Sequence, residues 1–491
     1  MAVTGVPAGT ITPTATTVTL ASNYLDFAAG TADWQQQYLP DVMEKEAEIF
    51  GNRTISGFLS QVGAEEPMSS DQVIWSEQGR LHMAFNGAVA TVDATGGTIL
   101  LTSDIDGNVI NTGAGMQDNP IRQGDMVLIS DSNTTCTAYV TAVTAVTSTA
   151  LDTINVDTYT AAGLVAAGIP NSATVTVMVF GSEYRKAQVG RNSANEPSHV
   201  TRSNKPIILK DKYNVSGSDA SAIGWIEVSG EEGQNGYLWY LKAEGDTRAR
   251  FTDYLEMAML ESELSTQTGA GAPVSYLAAG ALQGTEGLFA AIRARGNQAT
   301  GIVPGGTPLL EFDSILAEFD RNGAIEENMI FLDRTTALVV DDMLATMNSY
   351  GASGTSYGVF DNSENMALNL GFSGFRRGSY DFYKSDWKYL NDRGTRGSVL
   401  DTVTNIRGVF VPAGVSSVYD QNLGKNIKRP FLHVRYRASQ TESRKMKTWI
   451  TGSVGAVTSD LDAMEVHYLS ERCLVTQGAN NFCLLNYSFI L

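Results

Sequence analysis

Residues 236–266 read GYLWYLKAEGDTRARFTDYLEMAMLESELST. Tyr237, Leu238 and Leu241 come early, and Phe251, Tyr254, Leu255, Ala258 and Met259 follow. Their spacing is that of the apolar stripe of an amphipathic helix. Glu244, Asp246, Asp253, Glu256, Glu261 and Glu263 fall on the wet side. Gly245 is the expected bend, since glycine costs about 1 kcal/mol in a helix interior. Gly269-Ala270-Gly271 ends the stretch. At ~1.5 Å per residue the helix spans roughly 45 Å. It is the strongest helical signal in the chain.

Upstream, residues 181–215 are basic and irregular. Arg185, Lys186, Arg191, Arg202, Lys205, Lys210 and Lys212 stand among Asn, Ser and Pro. This reads as the return limb of a long excursion whose outgoing limb is 64–87, with a strand over 72–76. Between the limbs, residues 88–180 hold a single basic residue, Arg122, and are dense in Thr, Val, Ala and Gly. Met126-Val127-Leu128-Ile129, the run 137–143, and Val175, Val177 and Val179 alternating with Thr176 and Met178 are short strands with turns between them. They predict an inserted β-barrel or sandwich of about ninety residues, near the lower limit for a domain that folds alone. Further upstream, residues 1–30 read as an extended arm. Asp33 caps a helix over 32–50 that Pro40 starts or kinks, and a short helix over 54–62 follows.

Downstream, residues 275–425 have α/β grammar. Thr307 caps a helix with Pro308 at its first position, Phe312, Ile315 and Phe319 lie on its apolar face, and Asn322-Gly323 closes it. Met329-Ile330-Phe331-Leu332 is a buried strand, and Asp333 caps the next helix. Residues 349–374 read as loop and 376–447 as a long polar stretch carrying bases. Strands return over 431–436, 448–450 and 465–469.

The chain has 491 residues, 43% hydrophobic and 18% charged. That excludes global disorder. No run of 18 apolar residues exists, so a transmembrane helix is excluded, and the first residues lack the marks of a secretory signal. Cys136, Cys473 and Cys483 cannot make a disulfide framework, which points to synthesis in a reducing cytoplasm. The net charge of −19 argues against a general nucleic-acid binder. Charge is uneven. Residues 1–180 hold four bases against 18 acids, whereas 370–450 hold 15 bases against six acids.

Catalytic constellations are missing from the sequence. It has no phosphate loop, no His-Glu-x-x-His and no Gly-x-Ser-x-Gly. Asp104-x-Asp106-x-Asn108 has its glycine at the wrong place for a calcium loop and reads as a surface turn. His467, Cys473 and Cys483 match no zinc spacing and read as buried thiols in a strand-rich core. Arg376 and Arg377 stand near Tyr380, Phe382, Tyr383, Trp387 and Tyr389, which read as strand and interface aromatics rather than a base-stacking platform. No cofactor, metal or enzymatic role is expected.

The order of parts, with the segments 236–266 and 205–225 as its main carriers, resembles the major capsid protein of tailed bacteriophages, the Hong Kong 97 (HK97) capsid fold. The fold class expected is therefore α+β: N-terminal arm and helix (1–63), E-loop limbs (64–87 and 181–215), an inserted β-domain (88–180), a peripheral domain with a spine helix (216–270 and 428–491), and an axial domain (271–427). The insertion is extra to the family pattern. Among subgroups, the crAss-like phages are the home the resemblance suggests. It implies a structural protein that self-assembles as pentamers and hexamers into an icosahedral shell around double-stranded DNA. The partners implied are other copies of itself, portal, decoration or auxiliary capsid proteins, and packaged DNA held without sequence-specific contact. No membrane is involved. The location implied is the virion capsid, made in the host bacterial cytoplasm.

Assembly contacts are expected at Trp34 and Tyr38 in the arm, Trp75 and Lys205 in the loop, and Phe251 and Tyr254 on the spine. For the last two, the chain's own core is the competing role. The charge pattern adds Lys210 and Lys212 on the basic limb, facing Glu256 and Glu261 on the acidic helix face of the next copy. Two other classes remain: a secreted surface adhesin or carbohydrate-binding β-protein, argued from the Thr-rich region, and an encapsulin-like compartment.

Overall fold

Strands on the way out of residue 54 and strands on the way back share one sheet. In the computed structural model the described residues are 54–486, apart from 108–109, 111–118, 145–151, 161, 192–198, 222–227, 230–234, 237–238, 266–283, 303–304, 350–373, 400–404, 414, 421–424 and 455–456. The chain opens with helix α1 (Phe58–Val62), β1 (Ala64–Met68) and β2 (Val73–Gln78). It divides into two compact units, residues 76–202 and the described residues on either side of them.

The unit 76–202 is built on six strands: β3 (Ala84–Val92), β4 (Gly96–Asp104), β5 (Asp125–Ser130), β6 (Thr135–Thr144), β7 (Thr153–Thr158) and β8 (Thr174–Ser182). They close into a barrel in the order β3-β4-β7-β6-β5-β8, each pair antiparallel. Closure leaves no free edge. Period-2 alternation sends Val127 and Ile129, Ile99 and Leu101, Val175 and Val177 inward to a fully buried core. At Gly96 a Cβ would stand 1.7 Å from the Val156 carbonyl oxygen, so β4 approaches β7 only as glycine. The Asp104–Asn108 stretch holds a turn at Gly107 (φ +88°), and Arg80 donates to both oxygens of Asp106, as a surface turn requires.

After β9 (His199–Asn204), which pairs with β2 in a two-stranded ribbon, the chain forms β10 (Ile207–Ser216), α2 (Gly217–Ala220), the two-residue strands β11 (Val228–Ser229) and β12 (Asn235–Gly236), and α3 (Trp239–Glu261). The long helix therefore starts three residues later and ends five residues earlier than its apolar pattern implies. It runs unbroken through Gly245. Next come α4 (Leu288–Arg295), β13 (Asn297–Thr300), α5 (Pro308–Asn322), β14 (Glu327–Leu332), α6 (Arg334–Ser349), β15 (Gly374–Arg377), β16 (Tyr380–Asp386), α7 (Lys388–Asn391) and β17 (Ile406–Pro412). A hairpin of β18 (Val415–Asp420) and β19 (Lys425–Pro430) precedes β20 (Leu432–Arg437), β21 (Lys447–Gly452), β22 (Ala463–Thr476) and β23 (Cys483–Asn486).

Two sheets organise this unit. The six-stranded sheet runs β13-β23-β17-β14-β16-β15. It is buried on both faces: Phe410, Leu332 and Leu485 point into one core with α5 and α6, and Val409, Phe331 and Leu484 into another with α4 and Trp387. Hence β17 is buried at all seven positions. Pro308 opens α5 and Gly323 closes it in the left-handed conformation (φ +60°), as read from sequence. Thr307 stands at the N-cap but its side chain makes no cap bond. Asp333 does cap α6, accepting from the Thr336 amide at 3.0 Å.

The five-stranded sheet runs β1-β20-β22-β10, with β21 on the β20 side of β22. Its strands come from both sides of α3 in sequence. Tyr213, Val215, Val466 and Tyr468 pack on Phe251 and Leu255 of α3, which covers one face. The residues 181–215 and 376–447, read as irregular and polar, thus hold β9 and β10 in one case and β15 to β20 in the other.

Candidate assembly surfaces

The first surface is where the N-terminal chain meets α3. Asp253 Oδ1 accepts the amides of Ile55 (3.1 Å) and Ser56 (2.9 Å). One turn on, Glu256 accepts those of Gly57 (2.7 Å) and Phe58 (2.8 Å). Four consecutive donors at the start of α1, which has no side-chain cap of its own, are met by two carboxylates from another helix. Phe58 stacks on Trp387 with centroids 4.5 Å apart, and Lys388 Nζ donates to the Thr54 carbonyl at 3.2 Å. Burial raises the Glu256 carboxyl above its ordinary range, while the Gly57, Phe58 and Leu59 amides pull it back only in part.

Other acids of α3 are also engaged within the chain. Glu261 accepts from Tyr389 (2.6 Å) and Arg396 (2.6 Å to Oε2), and Glu244 accepts from Tyr468 at 3.3 Å. Glu256 is 8% exposed. The acidic face expected to meet a neighbour is thus turned to the chain's own residues at Glu256 and Glu261. Phe251 is core, packed 5.9 Å from Tyr468, whereas Tyr254 is 44% exposed.

The second surface is the face of the five-stranded sheet opposite α3. Register places its residues. Lys210, Leu469 and Lys447 lie in one row across β10, β22 and β21, and Lys212, His467 and Trp449 in the next. Trp449 and His467 stack, with centroids 5.1 Å apart and planes 15° apart. Lys447 Nζ stands 5.9 Å from the Trp449 centroid and pairs with Glu442 at 2.6 Å. Lys212 pairs with Glu465 at 3.1 Å. A cavity of about 470 Å³ opens among Glu442, Arg444, Lys447, Trp449 and Leu469. Beside it on β10, Ile208 is 52% exposed.

Of the expected contact residues, Lys210 and Lys212 come together on this face. Lys205 stands at the corner before β10, its amide on Asn204 Oδ1 (2.9 Å). Trp75 is buried on β2. Trp34 and Tyr38, with the arm helix, lie outside the described residues. Sequence reasoning missed Trp449, His467 and Lys447, although Lys447, Trp449 and Thr451 alternate as one face of a strand must. It also missed Asn204, whose buried side chain donates to the Leu474 (2.6 Å) and Glu286 (3.0 Å) carbonyls.

The cysteines read as buried thiols are free and buried, and burial pushes Cys473 and Cys483 up to about 12. Among the described residues there is no group of three His, Cys, Asp or Glu side chains placed to hold a metal.

No protein-family model matches the chain, and no curated protein matches it. Solved structures similar to it include the capsid structure of the cyanophage P-SCSP1u, 9% identical, with 96% of this chain and 99% of that chain covered and a TM-score of 0.42. A structure of Microbacterium phage Oxtober96 is 10% identical over 94% of this chain and 99% of that one, with a TM-score of 0.37. The capsid of an empty GTA particle is 10% identical over 96% and 100%, with a TM-score of 0.35.

Proposed function

We propose that this chain is the major capsid protein of a tailed phage, with the HK97-type architecture and a barrel inserted in its E-loop. Copies join as pentamers and hexamers into an icosahedral shell that encloses double-stranded DNA. The role is mechanical and involves no catalysis. The observation that carries the reading is the five-stranded sheet. Strands from before and after the excursion meet strands from the end of the chain on one long helix, which is the order a peripheral domain with a spine helix calls for.

Two features support self-association. The ribbon β2–β9 is only two strands wide and carries Ile74, 63% exposed, and Val200, 42% exposed. An isolated two-stranded ribbon is marginal in water and gains from a neighbour that covers it. The open face of the five-stranded sheet likewise presents aromatic, apolar and cationic groups together. The chain's excess acid suits a container that must not grip its DNA. Other virion proteins, such as portal or decoration proteins, would meet the assembled shell.

Negative-stain electron microscopy of the purified chain, with light scattering alongside, tests this. Rings of five or six copies or closed shells are expected. A monomer that persists at high concentration contradicts self-assembly and favours a monomeric binding protein.

A further inference from the structure

The open face of the five-stranded sheet has a charge and shape that select its cover. Lys210, Lys212, Lys447 and Arg444 surround Trp449 and the cavity of about 470 Å³, a size that takes a few side chains. Glu465 and Glu442 each engage one of the lysines. Lys210 is exposed and has no ion-pair partner among the described residues. A cover with acidic and aromatic residues fits.

The acids of α3 do not supply it. That helix packs on the opposite face, Asp253 and Glu256 hold residues 55–58, and Glu261 holds Tyr389 and Arg396. A strongly acidic stretch stands in the 53 residues before the described chain. Residues 26–48 contain Asp26, Asp33, Asp41, Glu44, Glu46 and Glu48 against Lys45 alone, together with Trp34 and Tyr38. This stretch joins the described chain at residue 54, where Asp253, Glu256 and Lys388 fix the backbone. The attachment is on the α3 side of the sheet. The stretch therefore starts on the far side from its own copy's open face, while the open face of a neighbouring copy imposes no such detour.

We propose that residues 26–48 of a second copy bind across the face formed by β10, β22 and β21, with an aromatic side chain of that stretch in the cavity beside Trp449. This deepens the self-assembly reading and rests on it. Complementary charge fixes the register of the contact, and the aromatic supplies buried area.

The test places benzoylphenylalanine at Tyr38 in the full chain and mixes isotopically heavy and light copies before irradiation. Heavy–light crosslinks to peptides of β10 or β21 are expected, and Lys210→Glu should lower their yield several-fold. The further changes Glu44→Lys, Glu46→Lys and Glu48→Lys should restore it. Crosslinks within one copy only, crosslinks to other peptides, or a yield indifferent to Lys210→Glu would overturn the proposal. Electron microscopy of the same samples separates the two levels. Closed shells with crosslinks elsewhere overturn this contact and leave the capsid reading standing. A chain that never associates overturns both.

Discussion

Glu256 accepts the amide of Phe58, 198 positions earlier, at 2.8 Å inside the core between α3 and the six-stranded sheet. The N-terminal chain is thereby fixed to the long helix at one point, and whatever precedes residue 54 pivots from there. Removing the acceptor strands buried donors. Glu256→Ala should cost about 1–3 kcal/mol, the usual penalty for leaving a buried hydrogen-bonding group unmet. Glu256→Gln keeps an oxygen acceptor and should cost less. Hydrogen exchange at Gly57 and Phe58 checks the site of the effect: faster exchange there in the Ala variant is expected, and unchanged exchange contradicts it.

The pH dependence has a definite sign. The folded-state pKa of Glu256 is raised, chiefly by burial. Its contribution is fully present below the unfolded-chain value and is lost as pH rises through the folded value. Asp71 acts oppositely. Its hydrogen bond and ion pair with Arg437 hold its carboxyl below the ordinary range, so its contribution is lost as pH falls. Comparing wild type with Glu256→Gln isolates the first term. Over roughly pH 4 to 7, above the ordinary Glu value, wild type should lose stability relative to Glu256→Gln as pH rises. A difference that is flat or grows the other way sinks the assignment.

The barrel offers a separate probe. The six tryptophans of the chain all lie outside residues 76–202. Tryptophan fluorescence therefore reports the other unit, whereas far-ultraviolet circular dichroism reports both. Ile129→Ala empties a fully buried position in the barrel core and should cost about 2–5 kcal/mol. The dichroism transition is expected to shift while the tryptophan transition stays in place.

Lys210 and Lys212 are neighbours on one face but not equivalents. Lys212→Glu breaks an ion pair with Glu465 inside the chain, whereas Lys210→Glu breaks none among the described residues. If the face is an interface, Lys210→Glu should weaken association several-fold and leave unfolding unchanged, most clearly at low salt. Sedimentation velocity at two salt concentrations reads this out. Equal association by wild type and Lys210→Glu contradicts it.

What the sequence made legible follows from where charges sit. α5 carries its own stop and start signals in Pro308 and Gly323, and the barrel strands alternate cleanly because one face is core and the other wet. The long helix announces itself through Phe251, Leu255 and Met259. Strand β10 does not, because Asp211 faces α3 and pairs with Arg250 at 3.3 Å, which breaks the alternation. β16 hides in the same way: Lys384 is buried against Asp341 of α6. In β17, Arg407 is 2% exposed and spends its donors on the Gly301 and Ile302 carbonyls. Each of these charges reads as surface in the sequence and is satisfied inside the fold. The open face was half legible, its lysines through their run and Trp449 only through pairing register.

Electron cryo-microscopy of the assembled chain tests the central claim most directly. The account predicts copies arranged around fivefold and sixfold axes, with density from a neighbouring copy lying over Lys210, Trp449 and Lys447. Assemblies that leave this face bare to solvent, or a preparation that yields only single copies, would contradict it.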